Sequence, residues 1–367
     1  MPKTILISQK DINVIRSGVP RLVLSEIKFF KNKGHNAYAI AERIKEDAVI
    51  IAGGTPYKTY RWPISGFFRR KFYMKRVAKA AQSLKPDLII GHGDIINQDI
   101  CFIHNCVHLA FELINGKKLP IDHEVGKIHS EILTTKNFKV LVCNSEMMKH
   151  DLTSRFNLEG KKIVVHYPEL NSKQFGQSTA NIRDELKIAK DTIVIGLITS
   201  GNFKKRNVKL LLEAIYDLPK EKNLHILIAG KDKSEPFREL IEKSNHPITF
   251  LPPTDEVEKY YNSVDIFVLP AHIEEFGMSV LEVMACKKPV IVNKMVGSSE
   301  ILEGRSKGFI LQELSKDNLA KKITTLVESS ELRLELGELN YTTAMKYSTD
   351  NQDEKFELLL NEIGFDL

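Results

Sequence analysis

Residues 269–285 read Leu269-Pro270-Ala271-His272-Ile273-Glu274-Glu275-Phe276-Gly277-Met278-Ser279-Val280-Leu281-Glu282-Val283-Met284-Ala285. A short continuous apolar run, 266–269, leads into it, the pattern of a strand buried on both faces. That run ends at Leu269-Pro270. Gly277 then permits a sharp turn, and an apolar helix is predicted to follow over 278–286. Strand, turn and helix in so few residues make the unit from which parallel sheets are built.

The same rhythm extends outward in both directions. Upstream, strands are predicted over 192–197, 225–229 and 248–251; downstream, over 290–293 and 308–310. Helical patterns fall between them at 208–216, 236–243, 254–263 and 317–328. An earlier series occupies the first half, with strands over 4–8, 37–40, 88–91, 100–104, 140–144 and 163–167 and helices over 19–33, 72–84 and 145–155. The polar stretch 171–180, NSKQFGQSTA, separates the two series. The expectation is an α/β chain of two Rossmann-like, doubly wound domains facing each other across a cleft, residues 1–175 and 176–345. The last stretch, 346–367, is acidic and helical in pattern, and is either a separate cap or a helix returning to the first domain. A length of 367 residues suits two domains better than one. In such sheets ligands bind beyond the carboxyl ends of the strands, so the chemistry should lie just after each strand.

Composition narrows the classes further. No apolar run approaches the ~18–20 residues of a membrane helix. The N-terminal run reads as a strand, with no signal-peptide core or cleavage site behind it. A cytoplasmic protein is therefore expected. Cys101, Cys106, Cys143 and Cys286 sit among apolar neighbours at no zinc-binding spacing, and read as buried free thiols. Residues 61–76, RWPISGFFRRKFYMKR, hold Arg61, Arg69, Arg70, Lys71, Lys75 and Arg76 with no acid, interleaved with Trp62, Phe67, Phe68, Phe72 and Tyr73. Basic residues among aromatics suit an anionic surface, which would put the protein at the inner face of a membrane as a peripheral partner. A solvated basic face backed by core aromatics is the other reading; nucleic acid is not an expected partner.

A helix start after Gly277 presents unpaired N–H groups and partial positive charge, which suits a phosphate. Glu274 and Glu282 would repel a phosphate, so they should face hydroxyl groups. Equally open on physics alone is a loop glutamate and a helix glutamate that only complement the dipole. Residues 198–214, ITSGNFKKRNVKLLLEA, bring a strand into a glycine, then Lys204, Lys205 and Arg206, then an amphipathic helix. Cations fixed there would stabilise charge growing on a departing diphosphate; solvated lysines at a helix entry are the alternative. Residues 100–108, ICFIHNCVH, put His104 directly after an apolar strand, with His108 a competitor and His92 similarly placed after 88–91.

Glu274 and Glu282, seven residues between them and Phe276-Gly277 inside, resemble the E-x7-E signature of retaining glycosyltransferases of the GT-B fold. The resemblance is to the large family 4-like group that includes lipopolysaccharide, capsule and mannosyl-lipid transferases. It implies that Glu274 contacts the donor sugar and Glu282 the ribose, and that backbone around Phe276, Gly277, Met278 and Ser279 holds the diphosphate. It further implies that Lys205 and Arg206 are the basic pair, although Arg206-Asn207 stands where the family has Lys-Gly, and that His104 lies near the sugar. In 16–21, Arg16-Ser17-Gly18-Val19-Pro20-Arg21, one glycine, Gly18, remains of the family's pair beside the donor phosphate, and Arg21 is within reach of a phosphate. Ser145 matches the family's strand-to-serine turn, though N-cap chemistry explains it alone. Tyr167-Pro168-Glu169-Leu170 and Leu251-Pro252-Pro253-Thr254 depart from the family's pattern at the hinge and beside the nucleobase. No Asp-x-Asp occurs in the sequence, so neither a metal nor another cofactor is indicated. The implied partners are a UDP- or GDP-sugar donor and a glycan or lipid-linked acceptor. A sugar-nucleotide epimerase on the same fold and a non-catalytic glycan-binding module are the alternatives.

Overall fold

The computed structural model describes residues 1–13, 18–64 and 66–367. The chain forms two compact units, Met1–Pro168 with Asp353–Leu367, and Glu169–Gln352. The first carries strands β1 (Thr4–Ser8), β2 (Asn36–Ala41), β3 (Thr55–Lys58), β4 (Leu88–Gly91), β5 (Ile100–Ile103), β6 (Val140–Cys143) and β7 (Lys162–Val165). Among the described residues they form one parallel sheet in the order β3-β2-β1-β4-β5-β6-β7. Ile5, Leu6 and Ile7 are all fully buried because helices cover both faces. Ile5 and Ile7 pack with Val23, Ile27 and Phe30 of the helix Gly18–Asn32. Leu6, one residue out of phase, packs with Tyr73, Val77 and Ala80 of the helix Phe67–Leu84. The C-terminal segment completes this core. Phe356 meets Phe29 and Phe30 edge-on at 5.2 and 6.0 Å, and Phe365 meets Phe30 at 6.4 Å.

The second unit carries β8 (Ile193–Ile198), β9 (Leu224–Ala229), β10 (Ile248–Leu251), β11 (Ile266–Leu269), β12 (Val290–Asn293) and β13 (Ile310–Leu311). Its parallel order, β10-β9-β8-β11-β12-β13, repeats that of the first six strands of the first unit, which adds β7 at its edge. In each, the order reverses beside the first strand, between β1 and β4 and between β8 and β11, which opens a crevice at the strand ends. The helices Val208–Tyr216 and Lys316–Glu328 bury Leu211, Ile215, Ile323 and Leu326 against β8, β9 and β11. Gly337 lets the helix Ser330–Met345 lie directly on main chain: a Cβ there would stand 2.3 Å from the Lys287 carbonyl oxygen.

Several elements differ from the sequence expectation, each for a local reason. β3 contains Pro56, which reads against a strand, but β3 is the sheet edge, where a missing N–H is tolerated. The helix expected over 254–263 begins at Val257, because Thr254 Oγ1 accepts the Glu256 N–H (3.1 Å) in a local turn that delays it. The expected helix 236–243 is a 3-10 turn, Glu235–Phe237, followed by Arg238–Glu242. Ser330–Met345 escapes periodicity because Gly337, Asn340 and Thr343 occupy its buried face.

Phe356→Ala is expected to cost about 3–5 kcal/mol in guanidinium unfolding of the whole chain. A loss below about 1 kcal/mol would show that 353–367 is not part of the first unit's core.

Candidate functional site

Three loops of the second unit meet beyond the carboxyl ends of β8, β11 and β12. The loop after β11 is held at both edges. Glu274 N–H donates to Met295 O (3.0 Å), Gly297 N–H to Glu274 O (2.9 Å) and Ser298 N–H to Phe276 O (2.7 Å). On the other side His272 N–H donates to Lys205 O (2.9 Å). The loop after β8 makes a single helical turn, Phe203–Arg206, capped by Asn202 Oδ1 accepting from Lys205 N–H at 3.1 Å. Asn207 ends that turn at φ +56°, in the left-handed region where asparagine is among the few tolerated residues other than glycine. Asn207 thus does the backbone work expected of a glycine, and Arg206 directly precedes it.

This scaffold presses charge together. Arg206 Nε lies 2.9 Å and Lys205 Nζ 3.6 Å from Glu274 Oε1. Lys205 Nζ also pairs with Glu275 Oε2 at 2.8 Å. Glu274 is 8% exposed, and its Oε1, though beside two cations, is buried without an aligned hydrogen bond. Burial pushes the Glu274 carboxyl above the usual carboxylate range, while Arg206 and Lys205 pull it back. Gly277 follows at φ +92°, and a Cβ there would stand 2.9 Å from Val296 Cγ1, so this turn needs glycine on two counts. The helix Met278–Ala285 starts with no side-chain cap. Its first amides, Met278 and Ser279, follow a turn whose position 277 lies within 3.7 Å of Glu274 Cβ. Glu282, a turn further on, is buried and accepts a hydrogen bond from the Tyr261 hydroxyl at 2.8 Å. Lys205, Arg206, Glu274, Phe276 and Gly277 therefore belong to one set of interlocked loops, and Met278, Ser279 and Glu282 lie on the helix that follows, with Glu282 turned to Tyr261.

In the first unit His104, after β5, joins a chain of buried polar groups. His104 Nε2 and His92 Nδ1 are 2.8 Å apart, and His92 Nε2 is 3.0 Å from Glu26 Oε2. A carboxylate only accepts, so His92 presents its Nε2–H to Glu26 and its Nδ1 lone pair to the Nε2–H of His104. Burial, reinforced by His92, holds His104 well below the usual imidazole range, and therefore neutral. His108 is apart from this chain, edge-on to Phe156 at 5.5 Å on the helix Val107–Asn115. Gly18 opens the helix Gly18–Asn32, where a Cβ would meet no described atom within 4 Å; Arg16 and Ser17 lie outside the described residues. Arg21 lies on that helix, and Ser145 caps its own, accepting Met148 N–H at 3.2 Å.

The basic stretch turns largely inward. Arg70 pairs with Asp94 (2.8 Å) and Glu124 (2.6 Å), Lys71 with Glu131, and Arg69 Nε is buried. Arg69, Arg70 and Lys71 thus do not form an outward basic face: carboxylates distant in sequence pair with Arg70 and Lys71, and Arg69 Nε is buried without a hydrogen-bond partner among the described residues. Trp62, Ile64 and Phe68 are exposed instead. All four cysteines are free and buried, and burial pushes Cys143 and Cys286 up to about 12. Sequence reading missed Glu26, Tyr261 and Lys10. Only Glu26 left a signal, an acid on the buried stripe that runs Val23, Ile27, Phe30.

Residues 178–343 match the family model of glycosyl transferases group 1. An uncharacterized glycosyltransferase of Methanocaldococcus jannaschii is 26% identical over 285 residues, 73% of this chain and 75% of that one. The capsular polysaccharide biosynthesis glycosyltransferase CapM of Staphylococcus aureus is 26% identical over 263 residues, 69% of this chain and 68% of its own. Among solved structures, Anabaena HepE in complex with UDP-glucose superposes with a TM-score of 0.74 at 15% identity, covering 98% of this chain and 100% of that one. Two units of similar strand order, a strand-end cluster of acids and cations, and these likenesses agree: the chain is a glycosyltransferase of the GT-B fold whose second unit, over 178–343, matches glycosyl transferases group 1.

Proposed function

We propose that the chain moves a sugar from a nucleoside diphosphate, UDP or GDP, to a hydroxyl of a glycan or lipid-linked acceptor, with retention at the anomeric carbon, in the synthesis of a bacterial cell-surface polysaccharide. The observation that carries this is Glu274 buried against Arg206 and Lys205 beside the uncapped helix start at Met278. The naming of CapM for capsular polysaccharide biosynthesis and the UDP-glucose held by HepE support the substrate classes.

In this reading the diphosphate lies on the Met278 and Ser279 amides, with Lys205 and Arg206 as its cations. Positive charge at the leaving group is then the protein's own. The C1–O bond to the β-phosphate breaks, the acceptor oxygen bonds C1 from the same face, and its proton passes to the departing phosphate oxygen. Glu274 accepts a hydrogen bond from a sugar hydroxyl and fixes the ring, and Glu282 serves the ribose. Gly18 lets main chain approach the donor phosphate. His104 offers its Nδ1 to a sugar hydroxyl.

A product with the donor's anomeric configuration by NMR is expected; an inverted product rejects the mechanism. Glu274→Gln should lower kcat/KM about 10²-fold through lost positioning. The working form of Glu274 is the carboxylate, and its pKa lies above the usual range, so activity should fall as pH drops through that raised value. The acid limb of kcat/KM therefore lies above the ordinary carboxylate range and is absent in Glu274→Gln. Normal turnover by that variant sinks the assignment, and release of nucleotide from donor with no acceptor present favours an epimerase.

No helix among the described residues is long and apolar enough to cross a membrane. We propose peripheral contact through exposed Trp62, Ile64 and Phe68, with Lys75 on the same helix face as Phe68. Co-sedimentation with phosphatidylglycerol vesicles should be lost in the Trp62→Ser/Phe68→Ser double variant; undiminished binding rejects this contact.

A further inference from the structure

The helix Gly18–Asn32 buries Glu26 beside Val23, Ile27 and Phe30. Glu26 is 3% exposed. An apolar side chain would fill that position without stripping water from a carboxylate. As a cross-link between helix and sheet the acid is poorly served. Its Oε2 lies 3.0 Å from His92 Nε2, and its Oε1 is buried with no hydrogen-bond partner among the described residues.

What Glu26 reaches is a row of parallel rings. His92 follows β4 and His104 follows β5, which carries Phe102. The Phe102 ring lies 5.0 Å from His92 and 5.8 Å from His104, at interplanar angles of 13° and 9°. His92 N–H also donates to Ser8 O at 3.1 Å, so main chain and stacking together hold the first imidazole. The His92 side chain has no exposed surface. His104 is only partly buried, and with Lys10, Glu42, Arg69 and Asp94 it lines a cavity of about 330 Å³ beyond the strand ends. The row therefore runs from a buried carboxylate to a surface that a ligand can reach.

A neutral imidazole has one N–H and one lone pair. Burial, with His92 beside it, keeps His104 neutral. Glu26 only accepts, so every N–H in the row points towards it: His92 Nε2–H to Glu26, and His104 Nε2–H to His92 Nδ1 at 2.8 Å. His104 Nδ1 is left a lone pair. The Asn144 side chain bonds the same ring, and its amide N–H is the group that suits this lone pair. Whatever replaces Asn144 there must also donate. We propose that Glu26, acting through His92, is a specificity-determining positioning residue: it commits His104 to accept, so that a sugar hydroxyl is taken at Nδ1 and a sugar without that hydroxyl is disfavoured. This rests on the contact between His104 and the donor sugar proposed above. The discrimination comes from the unmet lone pair that a deoxygenated sugar would leave.

The test uses the full chain labelled with ¹⁵N-histidine, in which long-range ¹H–¹⁵N spectra read the tautomer of each ring. His104 should be the Nε2–H form. Glu26→Leu fills the space and removes the acceptor, and His92→Phe keeps the stack and removes both bonds. In each variant the Nδ1–H form of His104 should appear. Calorimetry then takes UDP-glucose, UDP-N-acetylglucosamine and GDP-mannose beside UDP and GDP, and monodeoxy analogues of whichever sugar nucleotide binds most tightly. Each variant should weaken that sugar nucleotide about fivefold to tenfold and leave its parent nucleotide unchanged. The double variant Glu26→Leu/His92→Phe should bind no more weakly than either alone, because both changes break one chain. One monodeoxy analogue should bind the unmodified chain about fivefold to tenfold less tightly and be indifferent to Glu26→Leu. An unchanged His104 tautomer in both variants, or a loss that every analogue shares equally, overturns the inference and makes Glu26 a structural cross-link. If nucleotides bind and sugar-nucleotide affinity ignores both variants, this inference alone fails. If neither nucleotides nor sugar nucleotides bind, the donor reading fails and the specificity role falls with it.

Discussion

Burying a carboxylate is costly unless cations and donors surround it, and at Glu274 that requirement organises the working end of the second unit. The residue is tied at three points. Its main chain bridges to Val296, and its side chain reaches Arg206, while His272 two residues earlier bonds the carbonyl of Lys205. Loops after β8, β11 and β12 therefore set one another's positions. The Gly277 turn and the start of the helix Met278–Ala285 inherit that placement, so the amides, the cations and the acid come as a set.

The first unit meets the same requirement differently. Of its buried acids, Asp94 at a strand end pairs with Arg70, and Glu26 on the helix Gly18–Asn32 turns Oε2 to His92 while its Oε1 has no hydrogen-bond partner among the described residues. The Glu26–His92–His104 chain sets the tautomer of its imidazoles and continues from His104, held neutral by burial, to the Asn144 side chain. Glu42, Gln9 and Arg69 are left unmatched nearby. One order of six strands, used twice, thus yields a unit whose loops compress acids against cations and another whose loops leave a cavity between them.

That division fits a reaction with two substrates of different character. A nucleoside diphosphate is a large anion with a fixed arrangement, and an interlocked, preorganised site suits it. Acceptors vary more in size and charge. The inward turn of Arg69, Arg70 and Lys71 bears on this, because it converts what reads as a basic surface helix into one wall of a polar cavity. Trp62, Ile64 and Phe68 of the same stretch remain on the outside.

The sequence alone determined the α/β class and the two series of strands whose ends matter, whereas the grouping of Glu274, Glu282, Lys205 and Arg206 came from the family resemblance. The strand series can be read because continuous apolar runs, glycine turns and strand-following polar residues are local signals, readable within a few positions. That Asn207 does the work of a glycine is a finding of the structure, where its backbone is left-handed. The sequence did not reach β3, hidden by Pro56, or Ser330–Met345, whose buried face is small and polar. Nor could it say which of three histidines combine, where Tyr261 points, or which way the arginines of 61–76 turn. Those outcomes depend on partners distant along the chain: Glu26 for His92, Asp94 and Glu124 for Arg70, Tyr261 for Glu282. Only tertiary packing decides them, because a charge chooses its partner by distance in space and by the water that burial removes.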